Sequence, residues 1–298
     1  LTEETSFTFN MPSDNTIYTA KYEINKELLP FDFTSTATKL TILGIKDKAV
    51  SNIIVPDCVT SIEKGVFSDC NNLKSITIPF VGATKNGTRN THFGYIFGAS
   101  SSSANSSSVP TSLREVVITS GTSIDYYAFN GCSSLTSIEI PSGVTSIGRE
   151  AFDGCSSLTS IEIPSSVTSI GSSAFSGCSS LTSMILPFVG SSANATSASS
   201  STLLGYIFGT SSYTGGVSTE QRYRIGSSSI YYIPSSLKNV TITGGKIFYG
   251  AFYNCSNVTS IEITSSVTSI GNSAFYGCSK LTSIEIPNSV TSIGDSAF

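Results

Sequence analysis

The feature that most constrains the fold of this chain is a repeat of 23 residues. The unit LTSIEIPSSVTSIGSSAFSGCSS, at 158–180, is followed at once by another LTS. Phenylalanines that follow an alanine recur at this spacing in two blocks, Phe129, Phe152 and Phe175, then Phe252, Phe275 and Phe298. Because stacked repeats share one continuous core, the 298 residues predict one solenoid rather than two globular domains.

Each unit contains two short segments with the alternation of a half-buried strand. In LTSIEIP, Ile161 and Ile163 point to one side and Glu162 to the other, and the following proline ends the strand because it has no amide donor. VTSIG follows the same pattern and ends at Gly171, where we expect a positive φ. SSAFSGC then supplies a bend that buries Phe175 and the next cysteine. Each unit therefore predicts one coil, stabilised by its neighbours.

The same apolar skeleton begins nine times, at Val50, Leu73, Leu113, Leu135, Leu158, Leu181, Leu237, Val258 and Leu281. We therefore predict a mainly β solenoid of nine coils over residues 49–298. Residues 1–48 are expected to form an N-terminal cap that contains a β-hairpin, in which SFTFNM and IYTAKYEI flank PSDN. The sequence stops at Phe298 in the middle of a coil, so we expect a longer natural chain or a neighbour that covers this coil.

The consensus LxxIxIPxxVxxIGxxAFxGCxx, repeated from about Val50 to Phe298, resembles the BspA-type leucine-rich repeat, or LRR_5 repeat, of bacterial and protozoan surface proteins. The resemblance implies a curved solenoid lined by β-strands, and adhesion to host matrix, to cell-surface proteins or to other bacteria. The position that carries a ladder of asparagines in common leucine-rich repeats holds Ser or Thr here, as at Ser166, so no asparagine ladder is expected. No catalytic residue belongs to the family pattern, which implies that the chain is not an enzyme.

Two coils are lengthened by insertions of similar design. The steps from Leu73 to Leu113 and from Leu181 to Leu237 are 40 and 56 residues instead of 23, which places the insertions at about 80–108 and 188–232. Each begins with PFVG, contains GYIFG and includes a serine-rich tract that we expect to be flexible. Insertions on one rim of a solenoid are often its binding loops.

The aromatic motif of each insertion has two interpretations. Its side chains can pack the longer loop against the edge of the coil, or they can form two platforms for a sugar or a peptide. The candidate platform residues are Tyr95, Phe97, Tyr206 and Phe208.

Serine and glutamate alternate with the inward-facing residues of the repeat, and they predict two short acidic ladders on the open face. The residues concerned are Ser137, Glu139, Ser160, Glu162, Ser260, Glu262, Ser283 and Glu285. This face either binds a basic or hydroxyl-rich partner or is a solvated surface that prevents the sheet from pairing with other sheets. An acid–base pair would need a walled pocket and unequal environments, which identical positions do not provide.

Six of the seven cysteines occupy one position of successive coils, and Cys58 lies elsewhere, after Pro56. Their spacing does not match a zinc site, and the single histidine, His92, adds no ligand set, so we expect no metal and no cofactor. A buried column of free thiols is predicted, with disulfides between neighbouring coils as the alternative.

Charged residues make up 12% of the chain, against roughly 25% in ordinary domains, and the net charge is −4. Without a cluster of Lys and Arg we expect neither nucleic acid nor an anionic membrane as partner, and no segment inserts into a membrane. The predicted location is extracellular or at the cell surface, after removal of a signal peptide. The predicted function is non-catalytic binding to a protein or glycan on a host or neighbouring cell. The alternatives are a stalk that presents another domain and a glycan-binding accessory module of a surface enzyme.

Overall fold

The structure is a computed structural model that describes residues 6–9, 18–21, 30–36 and 39–298. Most of its strands are short because each coil turns after a few residues. The strands are β1 (Ser6–Phe9), β2 (Tyr18–Lys21), β3 (Phe31–Ser35), β4 (Leu40–Ile45), β5 (Asn52–Ile54), β6 (Ser61–Ile62), β7 (Ser75–Ile78), β8 (Glu115–Ile118), β9 (Ser123–Ile124), β10 (Ser137–Glu139), β11 (Ser146–Ile147), β12 (Ser160–Glu162), β13 (Ser169–Ile170), β14 (Ser183–Leu186), β15 (Gly216–Arg224), β16 (Ser227–Pro234), β17 (Asn239–Ile242), β18 (Gly245–Ile247), β19 (Ser260–Ile263), β20 (Val267–Ile270) and β21 (Ser292–Ile293).

The strands of successive coils lie side by side in two parallel ladders. The first ladder contains the four-stranded sheets β5-β7-β8-β10 and β12-β14-β17-β19. The second ladder contains β4-β6, β9-β11-β13 and β18-β20-β21. A strand of the first ladder lies at eight of the nine predicted positions, and residues 281–287, which the structure describes, form no strand. The predicted β solenoid is confirmed, with the number of coils altered by the insertions.

The core lies between the two ladders and contains the residues that the repeat pattern assigned to it. Leu158, Ile161 and Ile163 are buried, as are Val167 and Ile170 on the second ladder. Pairing keeps each apolar residue beside its equivalent in the next coil, as with Ile161 and Met184, whereas Glu162 is exposed. The predicted inward and outward positions are therefore correct.

The glycine that ends the second strand of each regular coil is required for a reason other than the expected one. Gly171 is not among the glycines with positive φ, so that expectation is wrong. A Cβ at Gly171 would come within 2.6 Å of the Cα of Arg149, and one at Gly148 within 2.5 Å of the amide nitrogen of Tyr126. These glycines allow two coils to approach at the backbone.

A column of phenylalanines fills the bend between the second strand of one coil and the first strand of the next. Phe129 and Phe152 stack with ring centroids 5.4 Å apart, and Phe152 and Phe175 stack at 5.2 Å. Phe252, Phe275 and Phe298 continue the column in the last coils, at 5.5 and 5.4 Å. Phe152 and Phe275 stack on rings of the coils before and after their own, so the column links neighbouring coils.

At the position that carries asparagine in common leucine-rich repeats, hydroxyl groups supply hydrogen bonds between coils. The Ser166 hydroxyl donates to the Val144 carbonyl at 2.6 Å, and Ser289 donates to Val267 at 2.7 Å. Threonines beside both ladders donate to the coil before, as at Thr182 to Thr159 at 2.9 Å. The abundance of Ser and Thr is thus partly structural.

The cysteines confirm the predicted column of free thiols. All seven are unpaired, and six of them are buried. The Sγ atoms of Cys155 and Cys178 donate to the carbonyls of Phe129 and Phe152, each at 3.3 Å. Burial raises the pKa of these thiols, and it raises the pKa of Cys278 to about 12. Thiolate reactivity is therefore suppressed along the column.

Thiol labelling of the folded protein is expected to modify Cys58 first. Its side chain is only half-buried, whereas the six column cysteines are buried. With Ellman's reagent we expect one fast equivalent at neutral pH and the rest only on unfolding. Replacing Cys58 with Ser should remove the fast phase. Fast release of several equivalents from folded protein would contradict the buried column.

The N-terminal segment contains two antiparallel strand pairs. β1 pairs with β2, with Phe7 opposite Ala20 and Phe9 opposite Tyr18, which is the predicted hairpin, although PSDN lies outside the described residues. β3 pairs with β4, and β4 also pairs in parallel with β6 of the first coil. The second ladder therefore begins within the segment assigned to the cap, and the boundary at residue 48 stays a prediction.

Candidate functional site

The outward face of the first ladder carries two columns of side chains. Strand pairing sets their register, so that equivalent residues of successive coils lie next to each other. One column contains Asn52, Ser75, Glu115, Ser137, Ser160, Ser183, Asn239 and Ser260. The other contains Ile54, Thr77, Val117, Glu139, Glu162, Ile185, Thr241 and Glu262. The face is therefore a long surface of hydroxyl, amide and carboxylate groups, interrupted in the second column by the aliphatic side chains of Ile54, Val117 and Ile185.

The predicted acidic ladders belong to a single column. Glu139, Glu162 and Glu262 are exposed, and Ile185 and Thr241 lie between the second and the third of them. The Thr241 hydroxyl donates to a carboxylate oxygen of Glu262 at 3.1 Å. Ser283 and Glu285 are exposed too, but they lie in the segment that forms no strand. The carboxylates line an open face rather than a pocket.

Both insertions bypass the first ladder. β7 pairs directly with β8, and β14 pairs directly with β17, although an insertion separates the two strands of each pair in sequence. In the second ladder, Thr84 and Ser192 of the insertions instead form bridges with Ser61 and Ser169. Thr84 and Ser192 hold the ordinary place of the second strand, and the added layer follows them: the amides of Ala83 and Ser191 donate to the carbonyls of Asn90 and Ser201, at 3.0 and 2.8 Å. Each insertion is therefore a wedge that adds material beside the second ladder and in the bend.

This wedge arrangement makes the first ladder the inner side of the solenoid. One extra layer at a spacing of about 4.8 Å lengthens the outer side at each insertion, while the first ladder continues without it. The solenoid thus curves toward the first ladder at both places. The columns of Ser and Glu lie on the concave side, where several coils can contact one partner.

The aromatic motifs of the insertions occupy the bend. A 3₁₀ helix, Phe93–Phe97, contains the first motif, and another, Leu204–Ile207, contains most of the second. The carbonyls of Ile96 and Ile207 accept from the amides of Phe67 and Phe175, each at 2.8 Å, as Ala174 accepts from Phe152 in a regular coil. The amides of Phe93 and Leu204 donate in turn to the carbonyls of Ala128 and Ala251, each at 2.8 Å, so each insertion places two layers in the bend where a regular coil has one.

Two of the four predicted platform residues are core residues. Phe97 and Phe208 are buried, at 4% and 0% exposure, so they cannot offer a surface to a ligand, and their assignment as platforms is wrong. They take the place that phenylalanine holds in a regular coil, and Phe97 lies 6.1 Å from Phe67. Tyr95 and Tyr206 are half-buried and pack against the core, so only these two remain candidates for contact with a ligand.

A buried amide side chain fixes each insertion to the coil that follows it, and the sequence did not reveal this. Asn105 accepts from the Gly94 amide at 2.9 Å and donates to the Ala128 carbonyl at 3.1 Å. Gln221 accepts from the Gly205 amide at 2.6 Å and donates to the Ala251 carbonyl at 3.3 Å. Gly94 and Gly205 are equivalent residues of GYIFG, so two different side chains make the same bridge.

The serine-rich tract of the first insertion has regular structure instead of the expected flexible loop. It forms a 3₁₀ helix, Ser102–Ala104, followed by a one-turn helix α1, Asn105–Ser108. In the second insertion, Ser200–Thr202 forms a 3₁₀ helix with a capping box at Ser199. Hydroxyl and amide groups of these tracts form hydrogen bonds with backbone groups of the loop. The loop is therefore held in place with few apolar residues.

The second insertion also contains a hairpin that was not predicted. β15 and β16 pair antiparallel around Ile225 and Gly226, and Ile225 is 90% exposed. One face of the hairpin packs on the solenoid, where the Tyr231 hydroxyl donates to the Ser200 carbonyl at 2.8 Å. The β-branched and aromatic residues of IYYI and the glycine before them were the available signals.

The described residues contain no group of three or more His, Cys, Asp and Glu side chains that could hold a metal ion. His92 is buried beside the Ala99 carbonyl, and burial lowers its pKa. Within the same described part of the chain, no helix is long and apolar enough to cross a membrane.

The fold and the open face define a leucine-rich-repeat solenoid. The sequence profile of the BspA type leucine rich repeat region matches six copies, over residues 10–88, 106–219 and 245–298. The chain belongs to this family of repeat proteins. Among curated proteins, none is significantly similar to it.

Several solved bacterial structures are similar to the chain. A leucine-rich repeat protein from Eubacterium ventriosum is 23% identical over 84% of this chain, with a TM-score of 0.40, and the chain spans 58% of that protein. A leucine rich cell surface protein from Faecalibacterium prausnitzii is 23% identical over 90% of this chain and 84% of its own, with a TM-score of 0.35. A leucine-rich repeat protein from Bacteroides ovatus is 20% identical over 90% and 89%, with a TM-score of 0.36. The family assignment depends on the repeat profile and not on these similarities.

Proposed function

We propose that this chain is the binding part of a secreted or surface-displayed repeat protein, and that it attaches, without catalysis, to a protein or glycan on a host or neighbouring cell. The observation that carries the proposal is the outward face of the first ladder, with its columns of Ser137, Ser160 and Ser260 and of Glu139, Glu162 and Glu262. Membership of the BspA-type family supports a place at the cell surface.

The chemistry of this face favours a basic or hydroxyl-rich partner. The glutamates supply negative charge and hydrogen-bond acceptors, and the serines add groups that donate and accept. Because equivalent groups recur with each coil, an extended partner can make the same contact several times. Weak contacts of this kind add up when they act together.

The test is binding of the chain to immobilised matrix proteins and to a glycan array, beside a variant in which Glu139, Glu162 and Glu262 are changed to Gln. We expect the three changes to weaken a specific signal about tenfold, since each exposed charge pair contributes about 0.5 kcal/mol. The control changes three exposed acids outside the first ladder, Asp47→Asn, Glu63→Gln and Asp295→Asn, and should bind as the parent does.

Other results would assign the chain differently. Absence of any specific signal from the folded parent would contradict the proposal and favour a stalk that presents another domain. A signal confined to glycans, lost on changing Tyr95 and Tyr206 to Ala and kept in the glutamate variant, would move the site to the insertions. That result would favour an accessory module that binds glycan for a surface enzyme.

A further inference from the structure

A groove of about 400 Å³ lies on the second ladder after the second insertion, away from the face proposed above. The residues that line it include Lys246, Phe248 and Tyr249 of one coil and Asn272 of the next. The glycines that end β20 and β21, Gly271 and Gly294, line it too. This volume lies within the range of about 300–1,000 Å³ that is typical of small-molecule sites.

The groove exists because the insertion interrupts the column of glycines. In regular coils the residue after the second strand is glycine, since a Cβ at Gly271 would come within 2.6 Å of the Tyr249 amide nitrogen of the coil before. Phe248 occupies this position directly after the insertion, and its strand, β18, is the edge strand of the sheet β18-β20-β21. The aromatic side chain therefore has space here, and the glycines that follow leave the groove without side chains beside it.

The lining combines aromatic area with polar groups. Phe248 and Tyr249 are half-buried, and Lys246 and Asn272 are exposed. Ser269 and Ser292 add hydroxyl groups along one side. Aromatic rings that pack against an apolar face, together with amide and hydroxyl groups that fix orientation, form the usual construction of a site for a small polar ligand.

The charge of the groove is opposite to that of the whole chain. Of the described residues that line it, none is Asp or Glu, and Lys246 is a cation, whereas the chain carries a net charge of −4. Asp295 follows Gly294 but does not line the groove. An anionic ligand is therefore favoured over a cationic one.

We propose that this groove binds an acidic sugar residue, with the sugar ring on Phe248 and Tyr249, its carboxylate at Lys246 and its hydroxyl groups at Asn272 and Ser269. The proposal is independent of the partner of the first ladder, because the two sites lie on different ladders of the solenoid.

The experiment is isothermal titration calorimetry of the chain with trigalacturonic acid, and with maltotriose as the neutral probe. Two variants test the site: Lys246→Gln removes the cation, and Phe248→Gly restores the residue of a regular coil. Tyr126→Ser is the matched control, because Tyr126 holds the position of Tyr249 in the coil after the first insertion and is 70% exposed. Thermal unfolding of each variant establishes that it is folded.

We expect the parent to bind trigalacturonic acid at least tenfold more tightly than maltotriose. Each test variant should lose at least tenfold in affinity, and Tyr126→Ser should stay within twofold of the parent. The variant with Glu139, Glu162 and Glu262 changed to Gln should also bind as the parent does, which separates this site from the first ladder. The proposal is overturned by a folded parent that does not bind trigalacturonic acid, by equal binding of maltotriose, or by folded test variants that keep full affinity.

Discussion

Changing Phe152 to Ala is expected to lower the free energy of unfolding by about 3–5 kcal/mol. The ring is fully buried and stacks on Phe129 at 5.4 Å and on Phe175 at 5.2 Å. Its removal leaves a cavity that opens toward two neighbouring coils, and a solenoid depends on the contacts between neighbours for its stability. Urea unfolding followed by circular dichroism measures the change.

Phe298 provides the matched control for this prediction. It belongs to the same column and stacks on Phe275 at 5.4 Å, but it is 58% exposed and has a ring on one side only. Phe298→Ala should cost about 1 kcal/mol or less, because little buried surface is lost. Equal destabilisation by the two changes, or a loss below about 1 kcal/mol at Phe152, would show that the column does not couple the coils.

Changing Asn105 or Gln221 to Leu is expected to cost about 2–4 kcal/mol in each case. Both side chains are buried, and each satisfies a backbone amide of the insertion and a backbone carbonyl of the following coil. Leucine is of comparable size but leaves these backbone groups without partners in the core, and each unsatisfied group costs about 1–3 kcal/mol. Urea unfolding gives the total, and hydrogen exchange of Gly94 and Gly205 reports the local loss.

Asn72 is the control for the amide bridges, because it is an exposed asparagine between two coils. Asn72→Leu should change the stability by less than about 0.5 kcal/mol. We also expect the faster hydrogen exchange to be local. Asn105→Leu should speed exchange of the amide of Gly94 more than that of Gly205, and Gln221→Leu should do the reverse. Uniform acceleration over the whole chain would argue against separate bridges.

The regular coils could be predicted from the sequence in detail because all the information needed lies within one repeat. Alternation assigned Ile161 and Ile163 to the core and Glu162 to the surface, and the spacing of cysteines predicted the thiol column. The function of Gly171 was not predictable from its own coil. A Cβ at this position would meet the backbone of Arg149 in the coil before. Only the stacking of two backbones therefore shows why a side chain is not tolerated.

The candidate site was predicted in part. The outward serines and glutamates lie on the first ladder as the pattern indicated, except that Ser283 and Glu285 lie beyond its last strand. For Phe97 and Phe208 the sequence left packing and a ligand platform open, and they are buried because each insertion forms another layer of the phenylalanine column. A motif repeated in two insertions is compatible with a ligand site and with packing, and the sequence offers no means to choose between them.

Short-range periodicity was enough to predict the coil, its two strands, the apolar columns and the position of both insertions. The role of the insertions depends on how the coils stack. The insertions bypass the first ladder, make it the concave side and open a groove beside Phe248 on the second. These features depend on contacts such as Asn105 to Ala128 and Gln221 to Ala251, between residues that are 23 and 30 positions apart and follow no common motif. Local pattern cannot encode such contacts, since the partner of each amide is fixed only when the coils stack.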